Sequence, residues 1–179
     1  NQEGEGIPIN KEEAYKYYKL AADQGHCLSQ YNLGLFYRDG VGVQADISEA
    51  LRYIRMAADQ GEPKSAFVAG VMIKTGQGIQ PDIDTAVHYL KIGADQGSAE
   101  AMHLYAIILR IGEDGYPENK EEAARYYKMA ADKGRVDAMK DYALCLEKGE
   151  GVPVDLKAAA HYCKMAADNG CVEAMHDYA

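Results

Sequence analysis

The side chains best suited to ligate a metal or attack a substrate are Cys27, Cys145, Cys163 and Cys171, together with His26, His88, His103, His161 and His176. Zinc sites gather cysteines and histidines in close pairs, roughly two to four residues apart, so that four ligands can close a tetrahedron. No such pair is present: Cys163 and Cys171 lie eight apart, and that spacing occurs once. There is no His-Glu-x-x-His motif, nucleophile elbow, phosphate loop or dinucleotide fingerprint. Four glycine-bracketed runs have the composition of a phosphate cradle: Gly40-Val41-Gly42, Gly76-Gln77-Gly78, Gly112-Glu113-Asp114-Gly115 and Gly149-Glu150-Gly151. Their value depends on which end of a helix they adjoin.

Composition narrows the classes further. Of 179 residues, 47% are apolar and 26% charged, the balance of a folded soluble protein rather than a disordered one. No apolar run approaches the ~20 residues of a membrane span, and no N-terminal stretch resembles a signal peptide. Nineteen Lys and Arg against 28 Asp and Glu give a formal net charge of −9. Such a body repels phosphate backbones, which argues against a nucleic-acid partner.

The elements that position these residues repeat. Gly25, Gly61, Gly97, Gly134 and Gly170 follow one another at intervals of 36, 36, 37 and 36 residues. Ahead of each lies an alanine, a tyrosine three later and a small residue four later: Ala14-Tyr17-Ala21, Ala50-Tyr53-Ala57, Ala86-Tyr89-Gly93, Ala123-Tyr126-Ala130 and Ala159-Tyr162-Ala166. Steps of three and four place these residues on one helix face. This helix, B, has capping-box starts at Asn10…Glu13, Asp46…Glu49 and Asn119…Glu122, with half of that device at Asp82…Thr85. It ends at its glycine, which takes the left-handed C′ position without steric cost.

A second helix, A, follows each glycine and carries a small residue, Gly34, Gly70, Ala106 or Ala143, where the two helices come close. It runs into the glycine-bracketed turn, and the extra residue in the third turn accounts for the 37-residue interval. Those turns therefore adjoin a helix C-terminus, where the dipole is negative and a phosphate is disfavoured. The sequence predicts no catalytic residue, no metal site and no cofactor, hence a segment that is not an enzyme.

Helix A with Leu33-Gly34-x-x-Tyr37, the turn Asp39-Gly40-Val41-Gly42, the Asp46-capped helix B and the closing Ala57-Ala58-Asp59-x-Gly61 resemble the Sel1-like repeat family, relatives of the tetratricopeptide repeat. The likeness runs through all five units. It implies an all-α fold: an α/α solenoid, a right-handed superhelix of antiparallel helix pairs, with helix A on the concave side and helix B on the convex side. Residues 1–179 form a single array. Within it, 1–25 hold helix B alone, 26–61, 62–97, 98–134 and 135–170 are full repeats, and 171–179 begin the next, ten helices in all. Neither end has the polar outer face of a terminal repeat, so a segment of a longer array is expected, opening in the turn Glu3-Gly4-Glu5-Gly6-Ile7-Pro8.

Cysteine-rich secreted relatives staple each repeat with two cysteines eight apart. The matching positions here are Ala22/Gln30, Ala58/Ala66, Ala94/Met102, Ala131/Met139 and Ala167/Met175. Unpaired thiols, and with them a cytoplasmic location, are the expectation. Most of the 14 tyrosines are structural; Tyr17, Tyr53, Tyr89, Tyr126 and Tyr162 should bury their rings and find polar partners for their hydroxyls. His88 and His161 should face solvent.

By analogy with tetratricopeptide grooves, the concave face is lined by Tyr31, Leu35 and Arg38; Phe67, Val71 and Lys74; His103, Ile107 and Arg110; then Lys140, Leu144 and Glu147. A ring recurs at Tyr31, Phe67, His103 and His176. A basic ladder runs through Arg38, Lys74 and Arg110 and breaks at Glu147. Such a ladder suits an acidic segment or a C-terminal carboxylate, although a cation in the last turn of a helix also complements the helix dipole. The leading expectation is a protein-interaction scaffold or adaptor that binds peptides or proteins on this face. The alternatives are a regulatory or docking segment of a larger enzyme, and an RNA reader of one base per repeat, which the acidic total opposes.

Overall fold

In a computed structural model, residues 10–171 are described. They form nine α-helices of 13 residues each. The helix-B elements are α1 (Lys11–Asp23), α3 (Ile47–Asp59), α5 (Ile83–Asp95), α7 (Lys120–Asp132) and α9 (Leu156–Asp168). Between them lie the helix-A elements α2 (Cys27–Asp39), α4 (Pro63–Thr75), α6 (Ala99–Ile111) and α8 (Val136–Lys148). Each helix packs on its neighbours in sequence, which makes an α/α solenoid. The expected tenth helix, the opening turn and His176 lie outside the described residues.

Every helix B starts on a side-chain cap. Asn10, Asp46, Asp82, Asn119 and Asp155 accept from backbone N–H groups three residues on, at 2.9–3.2 Å. The reciprocal half of the capping box is replaced. The backbone N–H groups of Asp46, Asn119 and Asp155 donate instead to the carbonyls of Tyr37, Leu109 and Leu146, near the end of the preceding helix A. The glutamates are thereby released: Glu49 takes Arg52 at 2.8 Å, and Glu122 accepts from the Asn119 side chain at 3.2 Å. The tight turn between the two helices, with its own donor to dispose of, prevails over the local device.

Helix B closes in a Schellman motif at all five copies. In the first, His26 N–H donates to Ala21 O and Gly25 N–H to Ala22 O, with Gly25 at φ 86°. Close approach explains the small residue of helix A. A Cβ on Gly34 would lie 2.5 Å from Ile54 Cγ1 and 3.0 Å from the Ala50 carbonyl. The second glycine of the turn seats the turn on the previous repeat: a Cβ on Gly42 or Gly151 would collide with the carbonyl of Lys11 or Lys120, at the start of α1 or α7. In the lengthened third turn, a 3-10 turn over Glu113–Gly115, Gly115 has no neighbour of that kind.

Repeats are stitched along helix B. Tyr53, Tyr89, Tyr126 and Tyr162 donate to Asp23, Asp59, Asp95 and Asp132, the aspartates that close the preceding helix B, at 3.2, 3.0, 2.9 and 3.1 Å. The first three rings are buried and Tyr162 is half-buried. Tyr17 departs from the expectation, its residue 65% exposed: α1 is the first described helix, and no earlier aspartate packs against it among the described residues. The alanine pairs 57–58 and 130–131 are wholly buried, as their place between helices requires.

The four cysteines are thiols in this structure. At the first of the staple positions, buried Gln30 takes over the link, donating to the Ala22 carbonyl at 3.3 Å and accepting from Gln60 Nε2 at 2.6 Å.

Candidate functional site

The helix-A face is built by the i, i+4, i+7 stripe that follows from each small residue. Tyr31, Leu35 and Arg38 project from α2; Phe67, Val71 and Lys74 from α4; His103, Ile107 and Arg110 from α6; Lys140 and Leu144 from α8. All are half-buried, neither sealed into the core nor fully in water, while Glu147 is exposed. The flanking positions of each helix hold the core, for example Met102, Tyr105, Ala106 and Leu109 around the α6 stripe.

The basic ladder is joined to acids that sequence reasoning overlooked. Lys74 Nζ lies 2.5 Å from Glu113 Oε1, and Arg110 lies 3.9 Å from Glu150. Both acids occupy the turn of the following repeat, one residue after the glycine that caps helix A. Their signal was in the sequence as an acid 39 or 40 residues beyond each cation. Arg38 differs. It makes a bidentate pair with its own neighbour Asp39, at 2.7 and 2.9 Å, and the turn position across the joint is Gln77, which donates to Thr75 Oγ1.

The rings behave in two ways. His103 Nε2 lies 2.7 Å from Asp141 on α8, and its ring meets that of Tyr127 at 5.8 Å. Arg110 lies 5.8 Å above the same Tyr127 ring, so α6, α7 and α8 share one polar knot. Within it, burial pushes the Cys145 thiol up to about 11, which Arg110 only partly opposes, so the sulfur stays protonated and is a poor nucleophile. Tyr31 is also pushed up, first by burial and then by Glu62, with Arg38 acting the other way.

Elsewhere the structure assembles no reactive constellation. Among the described residues, no three His, Cys, Asp or Glu side chains are grouped to hold a metal ion, and no helix is long and apolar enough to cross a membrane. His88 and His161 are exposed, lying edge-on to Tyr89 and Tyr162. Shallow hollows along α1, α7 and α9 are lined largely by Lys, Glu and Ala; the one on α9, for instance, has Asp155, Lys157, Ala158 and Lys164.

An all-helical solenoid with a Tyr–Asp-stitched convex edge and small residues between its helix pairs defines a repeat protein of the Sel1 class. The Sel1 repeat family model matches residues 1–26, 27–62, 63–98, 99–134 and 136–171, and the chain belongs to that family. Among solved structures it is similar to a Sel1 repeat protein from Oxalobacter formigenes, at 32% identity and a TM-score of 0.81, over 97% of this chain and 68% of that one. It is also similar to c5321, a protective antigen of uropathogenic Escherichia coli with an SLR fold, at 22% identity and a TM-score of 0.67, over 97% and 44% of the two chains. Helicobacter pylori cysteine rich protein B shares the fold at 15% identity and a TM-score of 0.59, over 74% and 97%. No curated protein sequence matches the chain.

Proposed function

We propose that the chain is a non-enzymatic interaction scaffold that binds peptides or other proteins on its helix-A face. Sel1 repeat proteins generally serve as protein-interaction scaffolds. One observation carries the reading for this chain: a continuous row of half-buried apolar side chains, Leu35, Val71, Ile107 and Leu144, bordered by rings and by cations, on helices whose backbones are already ordered. Binding to such a surface requires little ordering of the protein, so contact area converts to affinity with small entropic loss. The bordering cations favour a partner with acidic groups.

Selection of displayed random peptides against the immobilised chain tests this, with a Val71→Asp, Ile107→Asp double variant of equal helicity alongside. Peptides enriched by the wild type should be lost by the variant. Equal retention by both would move the interaction off the helix-A face.

A further inference from the structure

The ladder cations stand two residues before the glycine that caps helix A, and the next repeat offers one residue to each, the first after its own capping glycine. That residue is Glu113 for Lys74, Glu150 for Arg110 and Gln77 for Arg38. In the first two cases the protein supplies a side-chain carboxylate across the joint. In the third it supplies a neutral, exposed amide that turns to Thr75. We propose that Arg38 is the docking point for a side-chain carboxylate on an extended acidic segment of a partner protein, which takes the place that Glu113 and Glu150 fill at the next two joints. The inference rests on the helix-A face being the interaction surface.

The cost of exchange separates the three cations. The Lys74 pair is 21% and 26% exposed and bridges two repeats, so a ligand must break a screened internal contact to reach it. Arg38 and Asp39 are 37% and 49% exposed and adjacent in sequence. Pairs of that kind contribute little, because water and salt already satisfy both ions. An incoming carboxylate therefore exchanges for Asp39 almost freely and can take the same bidentate fork, the geometry in which guanidinium is strongest. Tyr31 and Leu35 precede Arg38 by two turns and one turn on the same half-buried stripe, so an apolar residue beside the acid has a floor to rest on. The protein's own glutamates show which chemical group this register position accepts.

The decisive variant is Gln77→Glu, which installs at the first joint the acid found at the other two. It should draw Arg38 across the joint and occupy it, while Arg38→Gln removes the docking point. Peptides enriched from a random display library by the wild type should carry an Asp or Glu next to an apolar residue. Each variant should lose that acidic preference, with affinity for an amidated peptide of the enriched sequence falling about tenfold, and should keep the apolar one. Replacing the acid of that peptide by its amide should produce the same loss with wild type and none with either variant. Enriched peptides without an acid, or an acidic preference that survives both substitutions, overturns this inference alone. Failure of the wild type to enrich any peptide overturns the interaction reading as well.

Discussion

Replacing tyrosine by phenylalanine at the helix-B joints isolates one hydroxyl per joint and leaves the ring in place. Tyr53, Tyr89 and Tyr126 are 2–3% exposed, so their rings hold position after the change. Each variant loses a bond of 2.9–3.2 Å to an aspartate of the preceding repeat. A hydrogen bond to a charged group contributes about 1.5–3 kcal/mol when its partner is left dry. Here the aspartates are exposed and regain water, which reduces the expected loss to about 0.5–1.5 kcal/mol per joint. Tyr89 should be the largest case, because Arg55 Nε also donates to its hydroxyl at 3.0 Å. For a chain of this size each kcal/mol lowers Tm by about 2–4 °C. The joints use different partners, so a quadruple variant with Tyr162→Phe should show close to the sum. Tyr17→Phe is the internal control, exposed and without a joint to close among the described residues, and should change stability by no more than about 0.5 kcal/mol. Urea unfolding of the five single variants is the assay. If Tyr17→Phe costs as much as the others, or the other four are indistinguishable from wild type, the joints are held by ring packing alone and the Tyr–Asp stitch is incidental.

Alkali should unfold the protein through these rings. Burial, aided by Asp95, pushes Tyr126 up to about 12, and burial raises Tyr89, Tyr142 and Tyr162 in the same direction. A tyrosine that keeps its proton longer when folded contributes stability that is complete below the ordinary value near 10 and is lost as pH rises through about 12. Tyrosinate absorbance and helicity should then change together in that window, whereas ionisation near pH 10 with helices intact would contradict the burial argument. Gly34→Ala should destabilise by about 1–3 kcal/mol, because its methyl would lie 2.5 Å from Ile54 and 3.0 Å from a backbone carbonyl that cannot move aside; a neutral result in urea would show that α2 and α3 can separate freely. A double-mutant cycle on Lys74 and Glu113 should give a coupling of about 0.5–1 kcal/mol that shrinks in high salt, with zero coupling at low salt contradicting the cross-joint pair.

The helices were legible because their signals are local and repeated five times. An aspartate or asparagine before helix B and a glycine after it fix both ends, and the 36-residue interval makes each copy check the next. The tyrosine row was legible as structure, yet its partners were not, since each aspartate lies 30 or 31 residues upstream and reads locally as the last turn of a helix. The reciprocal capping glutamates were expected from local spacing and displaced by a longer-range competitor, the helix-A carbonyl that takes the N–H first. Tyr17 shows the reverse limit: its place in the pattern is identical to that of Tyr53, and only the presence or absence of a packed neighbour decides whether the ring is buried.

The cations of the helix-A face admit two readings from sequence, completion of a helix dipole or recognition of an acidic partner, and geometry supplies a third term between them. Lys74 and Arg110 sit in the last turn, where positive charge is favoured, and reach acids of the next turn without leaving that position. A row of like charges is therefore no measure of the field a ligand meets; each must be taken with the residue one repeat ahead, and two of the three are then neutralised within the solenoid. The same reasoning gives Arg38 its difference. It shares their helix position, and it pairs just as closely, but with a sequence neighbour in water rather than with the next repeat. What distinguishes the three cations is the partner each must give up when a carboxylate arrives, and that is decided by the turn residues Gln77, Glu113 and Glu150 rather than by the basic residues themselves.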